Sequence, residues 1–438
     1  MLSKVKWGVH PDTRKTATEG KPIESNALPE RVVIPVRQHL GAPCEPVVKK
    51  GDVVKKGQRI AAANAPLASH IHASLSGTVI EVADKPHPGL GQCPAIVIEN
   101  DGQDAWEEGL LSERSWEKLS KEELLELIKN AGIVGLGGAT FPVHIKLLPP
   151  KDSPIDTLII NAAECEPFLT ADHRTMLEHS ELVVTGVLII QKVLSVKNVY
   201  IGIEDNKPDA VKVMQEACQG TGVQVRPIPT RYPHGAEKMI IKTLAQREVP
   251  SGKLPMSVGV VVQNVGTAMA IGNAVKYGIP LIERIVTVSG GAVKEPKNLR
   301  LRIGTSFQDA IAQCGGFSFQ PDKILMGGPF MGVAQYTLEV PVIKGTNGIL
   351  LLGKKELNSD LESACIRCGR CIEACPMGLN PSMLSILGER GMIDEAKNDY
   401  QLLDCMECGC CSFVCPAKRK IVQYVRYSKK LAAEKGGK

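Results

Sequence analysis

The sequence CIRCGRCIEACP at residues 365–376 returns as CMECGCCSFVCP at residues 405–416. Both runs read Cys, two residues, Cys, two residues, Cys, three residues, Cys, Pro, which is the ligand spacing of bacterial iron–sulfur sites. A cubane cluster needs four soft thiolates converging on one small object, and two-residue gaps let a tight turn present three sulfurs to one face. The fourth comes from elsewhere. In two-cluster proteins with this spacing the last Cys of each run crosses over. That assigns Cys365, Cys368, Cys371 and Cys415 to one [4Fe–4S] cluster, and Cys405, Cys408, Cys411 and Cys375 to a second. Pro376 and Pro416 turn the chain away after each run. Structural zinc is the poorer reading, because it would leave ligands in each run without work. Disulfides fit less well still: no secretory leader is expected, and Cys44, Cys93, Cys165, Cys218 and Cys314 are scattered, which points to a reducing compartment. Cys410, between two ligands, leaves open which neighbour binds iron.

The chain of 438 residues, 43% hydrophobic and 23% charged, predicts a globular protein of several domains rather than low-complexity disorder. No apolar run approaches the roughly 18 residues needed to cross a bilayer, so any membrane role is expected to be peripheral. The net charge of +5, from 52 basic and 47 acidic residues, gives no hint of a nucleic-acid-binding face. Basic residues do crowd the end of the chain, PAKRKIVQYVRYSKKLAAEKGGK, where only Glu434 opposes them. A solvated helix face explains this, and attraction of an acidic electron carrier or an anionic membrane partner through Lys418, Arg419 and Lys420 is the sharper alternative.

Four sections are predicted ahead of and around the cysteines. Residues 1–105 hold RVVIPV, EPVVKKGDVVKKGQRIAAA, HIHASLSGTVIEV and PAIVIEN, short β-rich runs separated by turns, and so an all-β unit with an N-terminal extension. His70 and His72 share a strand face there and could bind metal, though packed or surface histidines are the commoner case. Residues 106–283 alternate strands (DTLIINAAECEP, VKNVYIGIED, VQVRPIPT) with helical stretches, the pattern of a doubly wound parallel sheet whose ligands bind beyond the carboxyl ends of strands. Ser120 and Glu123 form a capping box that opens the first helix, ahead of the glycine-rich GLGGATFP at 135–142. That loop is neither a Walker loop nor a Rossmann fingerprint. Its glycines would admit a phosphate or planar ring to the backbone, or serve only as a tight turn. Residues 284–352 read strand, strand, helix, strand, a small β-grasp unit, and residues 353–438 a largely helical two-cluster domain.

Two resemblances give these sections an identity. VVKKGDVVKKGQRI and HASLSGTV are similar to the biotinyl/lipoyl-type barrel-sandwich fold, but the hairpin that carries the cofactor lysine in that family reads NAPLAS here, so a docking or structural module is expected. GLGGATFPVHIK, NAAECEPFLTADHRTMLE, RYPHGAEKMII and VVQNVGTAMAI, in that order, resemble the flavin- and NADH-binding motifs of the complex I flavoprotein subunit. With the leading β unit, GVHPDTRK at 8–15 and the two cysteine runs, nearly the whole chain resembles the C subunits of Rnf ion-translocating electron-transport complexes. The resemblance implies a Rossmann-like FMN/NADH domain, an SLBB-type β-grasp domain and a ferredoxin-type domain, with FMN, NAD(H) and two [4Fe–4S] clusters as cofactors. It implies that Gly135, Gly137, Gly138 and Phe141 line the FMN and nicotinamide pocket, with Lys146 near the flavin phosphate. Asn161, Glu164 and Glu166 would contact flavin and nucleotide; Tyr232, Gly235 and Glu237 the nucleotide; Asn264 and Thr267 the flavin phosphate or ribityl chain. Ala163, Cys165 and Ala236 depart from the complex I pattern, which has acid, glycine and acid at these places.

The implied activity is an NADH:ferredoxin oxidoreductase function, with a flavin converting paired electrons from NADH into the single electrons that clusters accept. Ferredoxin and other subunits of a membrane complex that moves Na+ or H+ would be its partners, at the cytoplasmic face of the membrane. A soluble NADH-dependent reductase of the cobalamin-reducing type, and an electron-wire scaffold without flavin, are the rival readings.

Overall fold

In a computed structural model the structure describes residues 7–25, 27–150, 152–357 and 361–436. Lys438, part of the basic terminus, lies outside the described residues.

The β unit folds as two facing sheets. Arg31–Pro35, Gly91–Asn100, Gly77–His87 and Val53–Val54 form one; Glu45–Pro46, Arg59–Ala62 and Ile71–His72 form the other. Alternation of apolar and polar side chains drives Val32, Ile34, Ile60, Val79, Ile96 and Ile98 into the space between them. In the NAPLAS hairpin Asn64 and Pro66 are exposed, and Ala68 and Ser69 are buried. His70 and His72 are buried too, and burial pushes the His70 imidazole down to about 4, so both are packed neutral rings.

The N-terminal extension does not join this unit. Val9 pairs with Tyr232, and Ile23–Ser25 adds a parallel edge strand beside Lys297–Arg302. The β-grasp sheet thereby has six strands, in the order Ile23–Ser25, Lys297–Arg302, Glu283–Ser289, Gly348–Leu352, Lys323–Met326, Val333–Ala334. So short a strand match from so distant a segment leaves no periodic signal, which is why the sequence reading missed it.

The α/β domain carries a parallel sheet ordered Gln224–Ile228, Asn198–Glu204, Thr157–Ala162, Val260–Asn264. Chain order reverses between Thr157–Ala162 and Val260–Asn264. A crevice opens at such a switch point, because the connections leave in opposite directions. The capping box is formed: Ser120 accepts from the Glu123 amide and Glu123 accepts from the Ser120 amide, starting helix Lys121–Asn130. Helices Ser180–Leu194 and Val265–Tyr277 cross at contact distance; a Cβ on Gly186 would stand 1.8 Å from the Ala268 carbonyl oxygen.

The cysteine domain repeats one backbone twice. Arg367 and Glu407 (φ 55° and 59°), Gly369 and Gly409 (φ 76° and 82°), and Gly378 and Lys418 (φ 66° and 54°) are left-handed at equivalent places in the two runs. Each run then enters a one-turn helix, Arg370–Glu373 or Cys410–Phe413. Helices Pro381–Glu389, Ile393–Asn398 and Ile421–Gly436 complete the domain. The basic terminus is more integrated than a solvated face. Arg419 is buried and donates to Glu389, while Arg426 and Lys429 both bind Glu407.

Candidate cofactor sites

Six of the eight run cysteines meet in two neighbouring groups. Cys375, Cys405, Cys408 and Cys411 line one cavity together with apolar side chains including Leu379 and Val425. The crossed Cys375 thus stands with the second run although its sequence neighbours lie in the first. Cys371 and the converse crossing residue Cys415 pack together with Ile421 and Val422, in a cluster that Cys411 also joins. Among the described residues no three His, Cys, Asp or Glu side chains converge closely enough for a single metal ion.

Burial pushes the Cys405 thiol up to about 11 and raises Cys371, Cys375 and Cys411 as well. Cys408 is shifted down instead, by its hydrogen bond with Cys410, and Lys429 is the cation beside Cys405; a largely apolar cavity of thiols suits a cationic iron core that deprotonates its own ligands. The donor set and its dry lining fit a cubane. Cys410 is fully buried and lines the same cavity, its thiol also donating to the Tyr232 carbonyl of the α/β domain at 3.8 Å.

At the switch point of the parallel sheet, Asn264 caps helix Val265–Tyr277, accepting from Gly266 N (2.9 Å) and Thr267 N (3.3 Å). Its amide donates to Asp172 at 2.7 Å, and Thr267 Oγ1 accepts from Leu136 N at 2.9 Å. The glycine loop is therefore fastened to the head of this helix. A Cβ at Gly137 would touch Asn264 Cβ at 3.4 Å, whereas one at left-handed Gly138 would meet nothing within 4 Å. Phe141 closes the loop by accepting from Gly135 N at its own carbonyl, 2.9 Å. Arg284, buried, reaches from the β-grasp domain to Thr346 O and Leu136 O. An open backbone face at Gly138 above a helix N-terminus fits a flavin-sized ring with an anionic tail.

The other residues implied by the resemblance fall in two places. Asn161 donates to Gly235 O at 2.7 Å, and Cys165 and Ala163 lie so near that Gly235 has no room for a large side chain. Lys146 and Glu237 form a half-exposed ion pair at 2.6 Å on the rim. Glu164 caps helix Ala171–Glu178 by accepting from Asp172 N and His173 N, at 2.7 and 3.1 Å. Burial, and then the Glu164 charge, push the Asp172 carboxyl up to about 7. Glu166 faces away from the glycine loop: it accepts from Phe330 N and Met331 N, and burial pushes it up to about 7. Tyr232 is buried, stacks on Phe330 with ring centroids 4.2 Å apart, and donates to Cys408 O at 2.7 Å. Glu166 and Tyr232 thus form the wall between the nucleotide motifs and the second-run cluster cavity.

Several residues that build the site carry no local signal. Lys15 and Lys207 are buried beneath the loop after Thr157–Ala162, Lys207 donating to Ala163 O and Glu204. Asp172 and Arg284 likewise act through contacts far apart in sequence or across a domain boundary.

Comparison with known families follows this division. The chain matches the RnfC barrel sandwich hybrid domain over residues 3–103, the Nuo51 FMN-binding domain over 128–273, the SLBB domain over 285–334 and the 4Fe-4S dicluster domain over 358–416. It is 60% identical over 429 residues to the C subunit of the proton-translocating ferredoxin:NAD+ oxidoreductase complex of Clostridium ljungdahlii, covering 98% of this chain and 94% of the relative. It is 44% identical over 426 residues to the C subunit of the Na+-translocating ferredoxin:NAD+ oxidoreductase complex of Acetobacterium woodii, covering 97% and 96%. With the C subunit of the ion-translocating oxidoreductase complex of Rhodobacter capsulatus it shares 44% identity over 396 residues, covering 90% of this chain and 76% of the relative. The chain belongs to the family of C subunits of Rnf-type ion-translocating oxidoreductase complexes.

Proposed function

We propose that this subunit exchanges electrons between NAD(H) and ferredoxin by way of FMN and two [4Fe–4S] clusters, as the peripheral, cytoplasmic-face member of a Na+- or H+-translocating membrane complex. The observation that carries the reading is Tyr232, which belongs to a nucleotide motif and is hydrogen-bonded at 2.7 Å to the backbone of Cys408. Nucleotide site and cluster site are joined through one buried side chain. Bound FMN would supply the change from two-electron to one-electron chemistry.

Gly135, Gly137, Gly138 and Phe141 would hold the flavin ring, with Asn264 and Thr267 at its phosphate end and Lys146 and Glu237 at the rim. Asn161, Glu164 and Gly235 shape the loop facing the nicotinamide. Burial holds Tyr232 firmly protonated, so it serves as a fixed donor to Cys408. The set Cys375, Cys405, Cys408 and Cys411 lies on the α/β side, whereas Cys368 of the other set is exposed. The second-run cluster is therefore the inner relay and the first-run cluster the outlet to a partner. No helix among the described residues is long and apolar enough to cross a membrane, which suits a protein that meets the ion path through other subunits.

Anaerobically purified protein tests this. About eight irons and one flavin per chain are expected, with the flavin band near about 450 nm bleaching on addition of NADH. A chain that carries its clusters but takes up no flavin, and ignores NADH even within its complex, would be an electron-wire scaffold instead.

A further inference from the structure

The segment GVHPDTRK and the residues after it run as a strap across three domains. Gly8 N donates to Ala374 O (3.1 Å), one residue before the crossed ligand Cys375. Val9 and Tyr232 exchange both backbone hydrogen bonds, at 2.8 and 3.0 Å. Thr13 O accepts from Phe168 N at 2.8 Å, and Thr18 meets Thr170 hydroxyl to hydroxyl at 2.7 Å. Asn298 of the β-grasp domain then holds the Thr18 carbonyl, before the strap ends as the Ile23–Ser25 edge strand.

At its centre is Lys15, 3% exposed. The ammonium has three protons and three acceptors: Glu164 O at 2.9 Å, Glu166 O at 3.0 Å, and Leu169 O. These carbonyls belong to one loop, and two of its residues, Glu164 and Phe168, are left-handed without being glycine (φ 49° and 69°). Such a backbone persists only when its surroundings hold it there. A buried, fully satisfied ammonium beneath the loop supplies that hold, because charge-assisted bonds are strong in a dry environment. Glu164 in turn caps the helix that presents Asp172 to Asn264, so the conformation fixed by Lys15 extends to the head of the glycine loop.

We propose that the N-terminal strap is a built-in wall of the flavin site and that Lys15 is a positioning residue, setting the Glu164–Leu169 loop against the glycine loop. This rests on the reading of that loop as part of the flavin site. Lys15→Met, of similar length but unable to donate, is the test, with FMN itself as the probe. The expected result is an FMN dissociation constant raised by about tenfold or more, equivalent to about 1.4 kcal/mol. Hydrogen exchange should quicken at residues 164–173 while the strand Thr157–Ala162 keeps its protection, and the spectra of both clusters should be unchanged. A merely structural lysine would instead lower protection throughout and leave the affinity of the surviving folded protein intact. Unchanged FMN affinity and unchanged local exchange overturn the proposal. Should Lys15→Met not fold, Thr18→Val, which frees the strap from Thr170, is read by the same two measurements with the same criteria. Wild-type protein that takes up no FMN refutes the flavin reading itself and this proposal with it. Wild-type that binds FMN beside a variant that binds it equally refutes the strap alone.

Discussion

Replacing Lys344 by Met should destabilise the protein in a way that grows with pH. Lys344 is buried where the β-grasp, barrel-sandwich and α/β domains meet, and its amine donates to His70 O at 2.6 Å and Gly132 O at 2.7 Å. Burial pushes it down to about 7, from 10.5. A neutral amine has two N–H donors, which matches its two acceptors. Because the folded value is depressed, the unfolded chain binds the extra proton, and stability rises as pH climbs from 7 toward 10.5. Taking those two values, the gain between pH 7 and 8.5 is about 1.5 kcal/mol. Glu166 and Asp172, raised to about 7, and the cysteines are common to both proteins, so their titration drops out of the difference between wild type and variant. In the Met variant two buried carbonyls lose their donor, at about 1–3 kcal/mol each before relaxation, but the buried-charge cost vanishes with them. The variant should therefore sit close to wild type at pH 7 and about 1.5 kcal/mol further below it at pH 8.5. Anaerobic thermal unfolding of the two proteins at both pH values measures this. An equal gap at both would refute the argument that Lys344 changes protonation on unfolding.

Cys375→Ser should remove the cluster held by Cys405, Cys408 and Cys411, leaving about four irons whose low-temperature spectrum is that of the exposed set; loss of the other cluster would show that ligation is not crossed. Tyr232→Phe keeps the stack on Phe330 but strips the Cys408 carbonyl of its donor, at a cost of about 1–3 kcal/mol. Flavin bleaching by NADH should persist while onward reduction of the clusters slows several-fold in stopped-flow records; unchanged transfer would exclude Tyr232 from the junction. Gly186→Ala drives a methyl into the Ala268 carbonyl and should cost about 1–3 kcal/mol or more by parting the two helices. Because one of them bears Asn264 and Thr267 at its head, FMN affinity should fall together with the melting temperature.

Local patterns carried much of this molecule. Spacing alone marked the candidate cysteine ligands, since three sulfurs on consecutive turns are a property of a dozen residues, and the Ser120 to Glu123 capping box needed only one helical turn. Periodicity carried the parallel sheet and the two-layer β unit. The roles of Glu164 and Glu166 were less accessible. Their sequence neighbourhood marks a loop at a strand end, but only folding turns Glu164 onto a helix N-terminus and Glu166 onto the amides of Phe330 and Met331. Arg419, counted with a basic terminus, proves to be an internal partner of Glu389 for the same reason.

What the sequence by itself determined is the chemistry: which atoms can bind iron, where backbone is bare enough for a planar ring, and which stretches become strands or helices, because each depends on residues within a turn or two. What tertiary structure alone decided is how those pieces face one another. Cys375 joins the other run, Tyr232 reaches Cys408, and Lys15 holds three carbonyls from a distant part of the chain. No local propensity encodes such meetings, since they arise when buried polar groups must find partners somewhere in a packed interior.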